Sequence, residues 1–98
     1  MSLIPVELEQ QVLDFIRSLP PQPCQAFRRA LRKLEREEGD IRALEAELEG
    51  FYRLRVQRYR VIFFYHLRGR KRAIRCAYAA PRTIVYEVFA EQLRDLLS

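Results

Sequence analysis

The apolar residues of this chain change from helical spacing to alternation at Phe51, and that change limits the folds open to it. Before Phe51 they recur at helical intervals. Leu8, Val12, Phe15, Ile16 and Leu19 lie on one face of a helix running from residue 5 or 6 to 19. Pro5 suits its first turn, Glu7 and Glu9 suit its positive end, and Pro20-Pro21 stops it. A second helix starts near Pro23 with Phe27, Ala30, Leu31 and Leu34 on one stripe. Its other face is Arg28, Arg29, Arg32, Lys33 and Arg36, and Gly39 marks its end. Residues 41–48 are ambiguous between a helical turn or two and an irregular connector.

After Phe51 the period is two. Tyr52, Leu54 and Val56 form one face of a strand, and Arg53 and Arg55 the other. Residues 59–67 are apolar on both faces, as a central strand requires, and follow a tight turn at Gln57-Arg58. A third strand covers residues 72–79 and ends before Pro81. Thr83 is placed to cap a last helix carrying Val85, Val88, Phe89 and Leu93. The expected class is α+β: an N-terminal helical hairpin packed on a three- to four-stranded antiparallel sheet, followed by a C-terminal helix. The helices are expected to cover one face of the sheet and leave the other open. Ninety-eight residues suffice for one such domain, 1–98, and not for two.

Charge adds direction. Residues 1–50 hold 7 Lys/Arg against 10 Asp/Glu, a net of −3, whereas residues 51–98 hold 11 against 3, a net of +8. Between Phe51 and Arg82 stand ten basic residues and no acidic one. A field of that sign attracts a phosphate backbone or an acidic protein partner. Arg53 and Arg55 project from the open face, with Arg60 across the hairpin. Arg82 and Tyr86 stand at its rim, where a cation opposes the helix dipole unless an anion joins it. RNA cleavage needs the 2′-OH deprotonated, the pentacoordinate phosphate stabilised and the 5′-oxygen protonated. Arginine suits the second task, and Tyr86 beside cations suits proton transfer. The plainer reading makes Arg53 and Arg55 solvent-face residues and packs Tyr86 between helix and sheet.

Other chemistries find no support. Cys24 and Cys76 lie far apart without Cys/His company, so neither a disulfide framework nor a zinc site is expected, and both read as small apolar fillers. No metal or small-molecule cofactor is expected. His66 is read as a surface residue near a turn, with a proton-transfer role as the alternative. No apolar run approaches the roughly 18 residues that span a bilayer, and no secretory signal is visible. A cytoplasmic protein with no membrane contact is the expectation.

Leu48-Glu49-Gly50-Phe51-Tyr52-Arg53-Leu54-Arg55-Val56, followed by Tyr59-Arg60-Val61-Ile62, resembles the signature of the RelE/ParE toxin superfamily. Arg82-Thr83-Ile84-Val85-Tyr86 resembles its C-terminal Arg-x-x-x-Tyr segment. The resemblance implies the toxin of a type II toxin–antitoxin pair. Such a toxin is either a ribosome-dependent mRNA endonuclease cutting in the A site, a gyrase poison without enzymatic activity, or an inactive relative that only binds an antitoxin. It implies catalytic roles for Arg60, Arg82 and Tyr86, RNA-binding roles for Arg53, Arg55 and Arg58, and as partners a cognate antitoxin, the ribosome and mRNA. Retention of the basic set favours the endoribonuclease. Against the family pattern, Gln57-Arg58 lacks the usual turn glycine and Ala80-Pro81 stands where Gly-His often precedes the arginine. The short stretch before Pro5 leaves little room for the first strand many members have, which implies either a smaller sheet or a strand of only a few residues.

Overall fold

The computed structural model describes residues 3–98. Their order is β1 (Val6–Leu8), α1 (Gln10–Arg17), α2 (Pro21–Leu34), β2 (Ile41–Ala43), β3 (Tyr52–Val56), β4 (Tyr59–Arg68), β5 (Lys71–Pro81) and α3 (Val85–Leu97). The strands form one five-stranded mixed sheet in the order β1-β5-β4-β3-β2, with β1 parallel to β5 and the other pairs antiparallel.

The α+β class holds, and the sheet is larger than expected. The first helix does not begin at Pro5 or Val6. Val6 and Leu8 alternate with Glu7 and Glu9, a pattern compatible with either period, and the edge of β5 decides between them. That edge would otherwise leave its polar backbone groups unpaired. Instead the Ile74 N–H donates to the Pro5 carbonyl (2.8 Å), and the Glu9 N–H donates to the Cys76 carbonyl (3.0 Å). Val6 and Leu8 pack into the core, while Glu7 faces the opposite side of the sheet. The second edge strand, β2, comes from the ambiguous stretch, whose remainder forms a 3₁₀ turn at Ala46–Leu48 that buries Leu48.

α2 starts at Pro21 rather than near Pro23. Pro21 and Pro23 fall in the first turn, where the missing N–H groups have no helical acceptor. It ends at Leu34, short of Gly39, because Glu37 takes a left-handed φ of 56° and its N–H returns to the Leu34 carbonyl (2.8 Å). Gly39 serves a different need. At φ 127°, a conformation that residues with a Cβ rarely adopt, and with a Cβ position 3.1 Å from the Leu54 side chain, any other residue there would be strained.

Helices pack on both faces of the sheet, the second only in part, which corrects the expectation of one open face. α1 and α2 close one side over Leu54, Val56, Val61, Phe63, Ile74 and Cys76, with Val12, Ile16, Phe27 and Leu34 inserted from the helices. Phe15, Phe27 and Tyr59 meet at 5.6–6.1 Å between ring centroids. α3 covers part of the other side, burying Val85, Phe89 and Ala90 against Ile62 and Ala80, with the Phe89 ring 5.1 Å from Phe51. β4 demanded this: a strand apolar on both faces is stable only with both covered. β5 carries a register shift opposite Ile62/Phe63, where Ile62 pairs with Tyr78 but Phe63 with Cys76. The extra residue, Ala77, reverses the alternation, so Ala79 and Cys76 face the same helices. Thr83 does not cap α3. The cap position falls on Ile84, which has no side-chain acceptor.

The β3–β4 turn lacks glycine at a cost, since Gln57 sits at φ 56°. A left-handed residue other than glycine is strained by about 1–2 kcal/mol, against about 0.5–1 kcal/mol of added chain entropy for glycine. Gln57→Gly is therefore expected to raise stability by up to about 1 kcal/mol, seen as a higher urea midpoint at unchanged slope. A lower midpoint would show that the Gln57 side chain contributes more than its backbone costs.

Candidate nucleic-acid interface

Strand register brings the arginines together. Arg55 stands directly opposite Arg60 across the β3–β4 pair, and Arg53 opposite Ile62, which belongs to the α3-side core. Arg53, Arg55 and Arg60 therefore share the face that α3 only partly covers. Like charges placed opposite each other weaken a sheet. Arg60 is also the buried charged residue of the described chain, 9% exposed, and no carboxylate among the described residues pairs with it. Its guanidinium donates to the Gln57 carbonyl (3.0 Å) and the Tyr59 carbonyl (2.8 Å), which aims it along the end of the sheet.

Arg53 and Arg55 differ in freedom. Arg53 donates to both the side chain (3.0 Å) and the main-chain carbonyl (2.9 Å) of Asp40 and is nearly buried. Arg55 reaches Asp40 only at 3.9 Å and is half exposed. The Asp40 carboxyl is held below its ordinary range, first by the hydrogen bond from Arg53 and then, against the opposing effect of burial, by the charges of Arg53, Arg55 and Arg42. Arg42 is the residue the sequence reading missed. β2 places it opposite Arg53, on the same face. Its only signal was a lone arginine between Ile41 and Ala43, in a stretch whose period could not be read.

Arg58 and Arg82 meet at the end of the sheet. The Arg82 N–H donates to the Arg58 carbonyl (2.8 Å), and both exposed side chains line a cavity of about 370 Å³ with Tyr59, Pro81 and Thr83. Tyr86 is not in that cavity. It packs against the α3-side core and lines a separate open depression with Glu45, Glu47, Leu48, Glu87 and Ala90, where Arg94 also pairs with Glu47 (2.8 Å). The structure thus gathers Arg53, Arg55 and Arg60 on one face and Arg58 with Arg82 at its end, and sets Tyr86 beside glutamates under α3.

His66 lies six residues along β4 from Arg60, roughly 20 Å at the rise of a strand. Its Nε2 is 2.9 Å from Glu7 Oε1, and Glu7 also meets Arg75 (3.3 Å) and Arg68 (3.4 Å). Arg75 donates to Glu9 as well (2.8 Å). This network ties β1 to β4 and β5. Burial pushes the Glu7 carboxyl up, but hydrogen bonds from His66 and Arg75 outweigh it and hold the pKa below its ordinary 4.5. Glu9 is lowered chiefly by Arg75. A carboxylate lowered by folding adds stability that is complete above the unfolded value and is lost as pH falls through the folded one. The urea midpoint is thus expected to drop from about pH 7 to about pH 3, and less steeply in Glu7→Gln. An equally steep drop in that variant would remove Glu7 from the acid transition.

Cys24 and Cys76 are both free, and burial pushes the Cys76 thiol up to about 12, consistent with a filler. Among the described residues no group of His, Cys, Asp and Glu is arranged to hold a metal ion, and no helix is long and apolar enough to cross a membrane.

No protein-family model matches the sequence, and no curated protein matches it. Solved structures do. The chain is similar to the archaeal RelE–RelB complex from Pyrococcus horikoshii OT3, at 30% identity and a TM-score of 0.62, over 82% of this chain and 96% of that one. The YoeB/ParE toxin from Agrobacterium tumefaciens is 12% identical with a TM-score of 0.64, covering 80% of this chain and 98% of that one. The RelB–RelE antitoxin–toxin complex from Methanococcus jannaschii is 15% identical with a TM-score of 0.59, covering 85% and 98%. The last two speak for the fold alone. With 30% identity over nearly the whole Pyrococcus chain added to the shared fold, this protein belongs to the RelE/ParE toxin superfamily.

Proposed function

We propose that this chain is the toxin of a type II toxin–antitoxin pair and acts in the cytoplasm as a ribosome-dependent endoribonuclease, cutting mRNA in the A site and halting translation. The observation that carries this reading is the Arg55–Arg60 pair. Two arginines stand opposite each other on one face of the β3–β4 pair, and the buried one, Arg60, has no carboxylate on it among the described residues. Such an arrangement costs stability and is suited to an anion. A phosphodiester laid across it would meet Arg60 at the bridging phosphorus, Arg82 and Arg58 at the sheet end, and Arg53 and Arg55 along the flanking backbone. The arginines stabilise the added charge of the pentacoordinate phosphate. Tyr86 is the proton-transfer group in this reading, which requires it to turn from the depression it lines toward the sheet end. The partners are mRNA on the ribosome and a cognate antitoxin. An apolar groove of about 420 Å³ between α3 and the sheet, lined by Phe51, Phe64, Phe89, Leu93 and Leu96, offers such an antitoxin an anchoring surface beside the basic face.

The test is expression from a tightly repressed promoter, with mRNA 5′ ends mapped by primer extension in arrested cells. Cuts in register with codons, absent in Arg60→Ala, support the endonuclease. Arrest without cuts rejects it in favour of a gyrase-directed toxin, and growth without arrest leaves a chain that only binds its antitoxin.

A further inference from the structure

The basic residues of α2 take no part in the site described so far. Its 14 residues, Pro21–Leu34, contain no Asp or Glu. Arg28, Arg29, Arg32 and Lys33, with Arg36 just beyond, are all exposed. None of them forms an ion pair among the described residues. The ladder does not serve the helix. Cations in the last turn suit the dipole, but Arg28 and Arg29 lie in its middle. The pairs 28/32, 29/33 and 32/36 also set like charges at i,i+4, which destabilises.

The ladder is joined to the sheet face. A groove of about 330 Å³ between α2 and the β3 edge is lined by Arg29 and Lys33 on one wall and by Arg55, Val56 and Gln57 on the other. Basic residues therefore run from Arg60 through Arg55 to Lys33 and Arg29 around the edge of the sheet, with Asp40, held by Arg53 and Arg55, as the one carboxylate lining the groove. A single-stranded nucleic acid fits such a track, because its backbone is a flexible line of anions and a charged groove binds it without reading sequence.

We propose that the α2–β3 groove holds RNA backbone phosphates flanking the cleaved position, with Arg29 and Lys33 continuing the path that starts at Arg55. This inference deepens the endonuclease reading and rests on it. The test is fluorescence anisotropy of fully 2′-O-methylated, uncleavable RNA of about 4 and about 16 nucleotides, the range of single-strand sites. The Arg29→Gln/Lys33→Gln variant changes only exposed side chains, and its urea midpoint verifies folding. It is expected to bind the longer RNA on the order of tenfold more weakly, with a salt dependence shallower by about 0.7 per lost contact, and to bind the shorter RNA as before. Unchanged affinity for the longer RNA, where Arg55→Gln and Arg60→Gln weaken both lengths, would overturn the groove and leave the endonuclease reading intact. Sheet-face variants without effect, beside a weakened double variant, would overturn the endonuclease reading and keep the groove as an RNA surface. Loss of binding to an acidic polypeptide with RNA binding intact would assign the groove to a protein partner and overturn the proposal.

Discussion

Arg60→Ala is expected to lower mRNA cleavage by at least 10²- to 10³-fold, roughly the effect of removing one preorganised donor from a developing anion. Toxicity on induction should disappear with it. The fold should survive. The variant loses two hydrogen bonds to the carbonyls of Gln57 and Tyr59, a loss of about 1.5–3 kcal/mol each for charged donors. Against this it relieves a buried unpaired charge and the repulsion from Arg55. The effects largely offset, so a urea midpoint near that of the parent should accompany the loss of cleavage. Arg60→Lys keeps the charge but not the planar fork that meets both carbonyls and a phosphate, and should recover only part of the activity. Tyr86→Phe should reduce cleavage while sparing RNA affinity. Undiminished cleavage in both Arg60→Ala and Tyr86→Phe would defeat the endonuclease assignment.

Phe27→Ala is expected to have the largest effect on stability, about 3–5 kcal/mol. Phe27 is fully buried, joins α2 to the sheet, and meets Phe15 and Tyr59 edge-on or tilted. Stability in a domain of this size is about 5–15 kcal/mol, so the loss is a large share of the total. Because Tyr59 begins β4 beside Arg60, the cavity would open next to the proposed site. Urea unfolding at unchanged slope checks the prediction, and a loss below about 1 kcal/mol would show that α2 closes over the gap. Phe15→Ala, at a half-buried position, should cost less.

Local pattern was enough wherever one period dominated. The apolar stripes of the helices, the alternation of Tyr52, Leu54 and Val56, and the two-faced apolarity of residues 59–67 each correspond to an element found in the structure. The arginines of the site were legible for the same reason, since alternation alone puts Arg53 and Arg55 on one face. Register added what alternation could not: it fixed the facing of Arg60 by pairing it with Arg55.

The misreadings have a common origin. Val6–Leu8 and Ile41–Ala43 are three-residue edge strands with little pattern of their own, and they exist because the outer edges of β5 and β3 offer backbone partners. Arg42 was hidden with the second of them. The bulge at Ala77 leaves no mark in composition. It shows only in the pairing of β5 with β4 and in the two cores, where Cys76 and Ala79 share one side although three positions separate them. His66 and Tyr86 were residues of open role in the sequence. Glu7, brought 59 positions along the chain, ties His66 into the sheet, and the packing of α3 sets Tyr86 beside Glu47 and Glu87. The sequence by itself determined the helices, the central hairpin and the sign of the charge on its face, because each depends on neighbours a few residues apart. Only the tertiary structure decided the sheet edges, the covering of the second face and the groove that joins α2 to Arg55. Those depend on backbone groups and charges far apart in the chain, which acquire partners only when the sheet closes.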